Sequence, residues 1–190
     1  MTHDDHLALL RPGLDGRVGQ GGAWADLGAG SGAFTLALAG LLGPSAVIYA
    51  VDRDARALRS LAASVAAGFP RVSTIHGDFA RDISLPPLDG ILMANSLHYH
   101  GDACVLLLHT ARWLKPGGLL ILVEYDIETP NLWVPHPLPW VRFPAAAECA
   151  GFTGARLLGT RPSAYHRRVY SAAADAPSRA RGPASGANAV

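Results

Sequence analysis

Apolar runs alternate with amphipathic stretches along this chain, the alternation expected of strands separated by helices. Residues 23–27 form a first short strand, and Phe34, Leu36, Leu38 and Leu41 then recur at helical spacing until Gly43-Pro44 stops the helix. The continuous apolar run over 46–51 fits a parallel strand buried on both faces. Leu58, Leu61, Ala62 and Val65 mark one face of the next helix, which Gly68-Phe69-Pro70 breaks. Further strands are predicted over 71–75, 88–94 and 119–123. The link 80–87, with Pro86-Pro87, holds a helical turn at most. Leu107, Leu108, Ala111 and Leu114 face inward from a helix ended by Lys115-Pro116-Gly117-Gly118. A short helix over 144–150 and two strands over 155–158 and 164–171, joined as a hairpin, close the pattern. The class is α/β.

The first 22 residues read as a leader with a short helix over 6–10, stopped at Arg11-Pro12-Gly13; it either covers a ligand or frays. One domain spans 23–171, and 172–190, rich in Ala, Gly, Ser, Pro and Arg, reads as a disordered tail. With 190 residues, 49% of them hydrophobic, there is material for one sizeable core. Sixteen basic side chains nearly cancel fifteen acidic ones, so no polyanion footprint exists and nucleic acid is not expected as partner. The chain does not open with a basic segment followed by an apolar signal core, and it has no long apolar span. A soluble, cytoplasmic protein without a membrane partner is expected. Cys104 and Cys149 stand apart in sequence, which fits reduced, buried thiols better than a disulfide framework or a zinc site.

Chemistry concentrates where strands end. Gly28, Gly30 and Gly32 alternate between the first strand and its helix. There they permit a tight bend, let a ligand approach the backbone, and lead into unpaired helix N–H groups. A nucleotide-like cofactor is expected on this turn, against the plainer reading of a connecting loop. Asp52 ends the second strand about twenty residues downstream, where an acid reaches a ribose. It could instead cap the next helix, although Asp54 is available for that. Asp78 and Phe79 follow the third strand, suited to an adenine amine and ring, or to a turn beside a core Phe. After the fourth strand comes Asn95-Ser96-Leu97-His98-Tyr99-His100, at the point where such sheets reverse order and hold ligands. His98 is the candidate base, or else a hydrogen-bonded structural histidine. His98 and His100 would share a face of an extended backbone but lack a carboxylate third ligand, so no metal is expected. Asp102 caps the next helix. The later loop carrying Trp133, His136 and Trp140 is a candidate lid, or ordinary packing.

Over 23–171 the chain resembles the class I S-adenosylmethionine-dependent methyltransferases. Asp26-Leu27-Gly28-Ala29-Gly30-Ser31-Gly32 is similar to their first motif, Val51-Asp52 to their ribose acid, Gly77-Asp78-Phe79 to their adenine segment, and Leu114 to Gly118 to the turn before their fifth strand. The resemblance implies a Rossmann-like, mostly parallel seven-stranded sheet in the order 3-2-1-4-5-7-6, the last strand antiparallel, with helices on both faces. It implies S-adenosylmethionine as cofactor, held by Asp26, Gly28, Gly30, Gly32, Asp52, Arg53, Asp78, Phe79 and Asn95, with Asp26 and Asn95 at the methionine end. The Asn/Asp-Pro-Pro-Tyr signature of nucleic acid base methylases is absent after the fourth strand. Ser96 to His100 is instead similar to the exits of small-molecule methyltransferases, so in-line methyl transfer to a small acceptor is implied. Two other readings stand beside it. One is a catalytically silent cofactor-binding regulator. The other is a nicotinamide-dependent oxidoreductase, because Gly28, Gly30 and Ala33 with Asp52 also satisfy a dinucleotide fingerprint. Against the latter, Asp26 would face a pyrophosphate, the chain is too short for a second domain, and Ala111 precedes the only lysine, Lys115, where short-chain dehydrogenases resembling this length have Tyr.

Overall fold

A computed structural model of the chain describes residues 1–65, 71–81, 83–163 and 168–177. Seven strands form one sheet: β1 (Gly22–Leu27), β2 (Ala46–Asp52), β3 (Arg71–His76), β4 (Leu88–Ala94), β5 (Leu114–Tyr125), β6 (Thr153–Pro162) and β7 (Arg168–Asp175). Their order is β3-β2-β1-β4-β5-β7-β6, as the resemblance implied. The first four pairings are parallel, while β7 runs antiparallel to both β5 and β6. On β1, Asp26 registers with Ala50 of β2 on one side and Leu92 of β4 on the other. Chain order therefore reverses beside β1, and a crevice opens at the carboxyl ends of the strands there.

Strand parity splits the core between the two faces. Ala25 and Leu27 of β1 and Leu120 and Leu122 of β5 pack toward α4 (Ala103–Ala111) and α5 (Phe143–Cys149). Trp24 of β1 and Leu119, Ile121 and Val123 of β5 pack toward α1 (His3–Leu10) and α2 (Ala33–Leu42). Leu61 of α3 (Ala55–Ser64) closes a smaller cluster with Ala29 and Ala50. Asp54 and Asp102 cap α3 and α4 through backbone amides, as expected.

Four differences from the sequence pattern have physical causes. α1 starts at His3 because Thr2 and Asp5 form a reciprocal capping box, and Leu9 and Leu10 are fully buried. Ser171 donates its hydroxyl to the Leu9 carbonyl at 2.7 Å, so this segment belongs to the domain rather than leading up to it. α4 ends at Ala111: Leu106 and Leu107 are buried, Leu108 is exposed, and Leu114 has joined β5 opposite Leu88. The run Val105 to Leu108 is apolar all round, so spacing alone does not choose its inner face. Ala172, Ala173 and Ala174, assigned by composition to the tail, are buried in β7 opposite Leu122, Ile121 and Leu120. The small side chains there belong to the sheet; residues 178–190 lie outside the described residues, as do 66–70 and 164–167.

The fourth difference concerns the thiols. Cys104 and Cys149 are joined in a disulfide, their Cα atoms 5.7 Å apart across a separation of 45 residues. Packing of α4 on α5 brings together two cysteines that the sequence shows as isolated. Among the described residues, no helix is long and apolar enough to cross a membrane.

Trp24 sits centrally because β4 carries Gly90 beside it: a Cβ at Gly90 would lie 2.2 Å from the indole ring. Gly90→Ala is expected to destabilise the protein by about 1 to 3 kcal/mol through overpacking. The check is urea unfolding; an unchanged midpoint would show that Trp24 moves aside freely.

Candidate active site

The turn after β1 uses its glycines for different ends. Gly28 has φ +86°, and a Cβ there would sit 2.3 Å from the Cβ of Ser96, so this position requires close backbone approach. Gly32, at the start of α2, would place a Cβ 2.2 Å from Leu61, so it serves the packing of α2 against α3. Gly30 instead faces open space. The end of β2 holds this bend. Asp52 Oδ2 accepts from the Gly30 amide at 2.7 Å and Oδ1 from the Asp54 amide at 2.8 Å, while the Val51 carbonyl accepts from Gly28 and Ala29.

Two cavities flank the turn. The larger, about 310 Å³, is lined by Asp26, Gly30, Phe34, Asn95, Tyr125 and His6 among others. The smaller, about 110 Å³, is lined by Asp52, Arg53, Phe79, Ser96, Tyr99 and His100. Gly28 and Asn95 line both, so the two cavities adjoin in a trough over the first strand's end.

Asp26 is 1% exposed and its Oδ2 accepts from the Thr35 hydroxyl at 2.6 Å. Burial pushes its carboxyl up to about 7; the Thr35 bond opposes this and the Asp52 charge adds to it. Among the described residues its Oδ1 has no partner, and neither does Oδ1 of Asn95, a residue held at φ +52°. Asn95 is fixed by its amide, which donates to the Val123 carbonyl at 2.8 Å, and by its neighbour Ser96, whose hydroxyl donates to the Leu27 carbonyl at 2.6 Å. Two residues of one cavity wall thus each hold a buried acceptor that lacks a donor among the described residues, and such atoms are costly to leave unpaired.

On the other side, Phe79 packs its ring 5.1 Å from that of His100. Asp78 lines neither cavity: it accepts from the Ala80 amide at 3.0 Å and pairs with Arg81 at 3.5 Å and Arg53 at 3.9 Å. Burial holds the His100 ring below its ordinary range, with Asp78 acting in the opposite direction.

His98 lies elsewhere than sequence reasoning put it. A 3-10 turn over Leu97–Tyr99 swings it inward, to 1% exposure, and it lines neither cavity. Its Nδ1–H donates to Oε2 of Glu124 at 2.6 Å; Oε1 accepts from the Leu97 and His98 amides, and Nε2 is buried without a partner among the described residues. The turn also separates His98 from His100, which an extended backbone would have kept on one face. Sequence reasoning missed Glu124, signalled only as an acid at the end of a buried strand, and missed His6, which looked like part of a loose leader. The candidate lid does not cover the trough: Trp133 is 71% exposed, Trp140 packs near Phe143 and Tyr170, and His136 lines a separate cavity with His100.

This trough lies at the reversal point of a 3-2-1-4-5-7-6 sheet with an acid at the end of each of the first two strands, the Rossmann-like arrangement of S-adenosylmethionine-dependent methyltransferases. Residues 25–118 match the family model described as a methyltransferase domain, and S-adenosylmethionine is the cofactor of that class. Solved structures share the fold. The arsenic(III) S-adenosylmethionine methyltransferase from Chlamydomonas reinhardtii is 21% identical, with a TM-score of 0.66 over 87% of this chain and 66% of its own. A SAM-dependent methyltransferase from Aquifex aeolicus is 19% identical, with a TM-score of 0.67 over 93% and 99%. The N-methyltransferase NodS from Bradyrhizobium japonicum is 18% identical, with a TM-score of 0.69 over 92% and 95%. Among curated proteins, no sequence matches this chain.

Asp26 carries a stability consequence. Its folded value of about 7 lies above the ordinary 3.8, so the stability its proton contributes is fully present below about pH 4 and is lost as pH rises through 7. Asp26→Asn keeps an acceptor for Thr35 and removes the buried charge. Its urea midpoint is expected to exceed that of wild type by a gap that widens between pH 4.5 and pH 7.5 and then levels off, about as the folded value dictates. A gap independent of pH would contradict the raised carboxyl.

Proposed function

We propose that the chain transfers a methyl group from S-adenosylmethionine to a small-molecule acceptor bound in the larger cavity. The observation that carries this is that Asp26 and Asn95, which line a cavity adjoining a second one at Gly28, each keep a buried oxygen without a partner among the described residues. These residues fit the cofactor: a carboxylate and an amide oxygen suit an ammonium, and a bend opened at Gly30 suits a ligand lying against the backbone. When bound, the cofactor would supply an activated sulfonium methyl, open to in-line attack by a nucleophile with the thioether sulfur as leaving group.

In this reading Asp26 and Asn95 take the amino group. Asp52 takes the ribose hydroxyls with the lone pairs left after Gly30 and Asp54 are served. Arg53 and Phe79 flank the base, with Asp78 holding Arg53 from behind. Gly28 and Gly30 form the floor, and Gly32 sets the angle of α2. His98 and Glu124 act as a positioning pair that pins the turn carrying Asn95. A volume of about 310 Å³ lies at the low end of ligand pockets, which favours a small acceptor. The near-zero net charge supplies no field for a polyanion. Alignment of acceptor and methyl in such a site is worth about 7 to 11 kcal/mol. The cytoplasmic setting expected from the sequence loses the agreement of free thiols with the Cys104–Cys149 disulfide.

Calorimetric titration with S-adenosylmethionine, followed by assay of S-adenosylhomocysteine formation against phenols, amines and thiols, tests the reading. Binding with turnover of at least one acceptor is expected. Absence of binding would sink it, and binding without any turnover would favour the silent regulator. Asp52→Ala is expected to weaken cofactor binding by about 1 to 3 kcal/mol through loss of charged hydrogen bonds. An unchanged dissociation constant would remove the ribose assignment.

A further inference from the structure

His6 is the imidazole that, among the described residues, shares a cavity wall with Asp26 and Asn95. It is half-buried on α1, its ring stacked in tilted fashion 4.5 Å from Phe34 of α2. α1 is not free to swing. The Thr2 capping box closes its start, Arg161 of β6 reaches Asp5 at 3.7 Å, and Ser171 of β7 holds the Leu9 carbonyl. Phe34 lies two residues after Gly32, in the first turn of α2, so the ring of His6 packs on the helix that the glycine turn leads into.

We propose that His6 is the base of the methyl transfer, a role that rests on the reading above. The acceptor's X–H bond breaks and an N–H bond forms on the His6 ring. The freed electron pair closes on the methyl carbon, the old carbon–sulfur pair stays on sulfur, and the imidazolium then passes its proton to water. A base must reach the proton it takes. His6 stands on the cavity wall, whereas His98 stands on neither wall.

The electrostatic setting agrees. Burial holds His6 below its ordinary range, the Met1 amino group and His3 push the same way, and Asp5 opposes them. From the elements packed against α1, β6 brings Arg161, already engaged by Asp5, the turn over Arg11–Leu14 brings Arg11, β7 brings Arg168 and Asp175, already engaged by Asp126 and Arg156, and α2 carries no charged side chain. Across the cavity β1 presents Asp26 and β5 presents Tyr125. A neutral imidazole at pH 7 is the form that accepts a proton.

The test uses the full chain and S-adenosylhomocysteine as probe. The ring-proton resonance of His6, assigned by its loss in His6→Gln, is followed by NMR from pH 5 to 8, a window bracketing the ordinary histidine value of about 6.5. It is expected to titrate below 6.5 and to move when the probe binds. A His6 resonance indifferent to bound probe would overturn the proposal alone. Calorimetry showing no probe binding would overturn the methyltransferase reading beneath it. With a hydroxyl acceptor that turns over, His6→Gln is expected to lower kcat at pH 7 about 10²- to 10⁴-fold and abolish the acid limb of the pH–rate profile, leaving the probe's dissociation constant unchanged. His6→Asn and a thermal melt separate this from misfolding: a folded variant with undiminished kcat and an intact acid limb contradicts the assignment.

Discussion

The carboxylate of Asp52 ties the first strand's turn to the second strand's end, and the rest of the site depends on that tie. One oxygen holds the Gly30 amide and the other the Asp54 amide, so the glycine bend, the tip of β2 and the start of α3 are set by a single charged group. Hydrogen bonds to a charged group each contribute roughly 1.5 to 3 kcal/mol. The carboxylate is thereby oriented before any ligand arrives.

Glu124 does the corresponding work on the opposite flank. From the end of β5 it gathers the Leu97 and His98 amides and the His98 ring, fixing the short turn that presents Asn95 in a left-handed conformation. Between these two anchored carboxylates lies a third, Asp26, which is buried and only half satisfied. The protein is less stable for holding its charge there, and in the proposed function that unmet demand is what an incoming ammonium answers. A strained group at a site, supported by satisfied groups around it, is the pattern expected where function opposes stability.

Most of the architecture was legible because burial on both faces of a parallel sheet leaves continuous apolar runs, as over Ala46 to Val51 and Leu119 to Val123. The glycine bend and Asp52 were legible because spacing fixes where strand ends meet. What escaped depends on tertiary direction. Ala172 to Ala174 have the composition of a tail and the location of a strand. His98 sits in a polar stretch whose turn points it inward, and Cys104 meets Cys149 only because α4 and α5 lie side by side. His6 was hidden in a segment that looks loose until Thr2 and Asp5 are read as a capping box.

A crystal structure of the full chain with S-adenosylhomocysteine tests the central claim most directly. The ribose hydroxyls are expected on the Asp52 carboxylate, with the amino group between Asp26 Oδ1 and Asn95 Oδ1 and the sulfur over Gly28. A ribose bound away from Asp52, or a ligand seated elsewhere while the glycine bend stays bare, would contradict it.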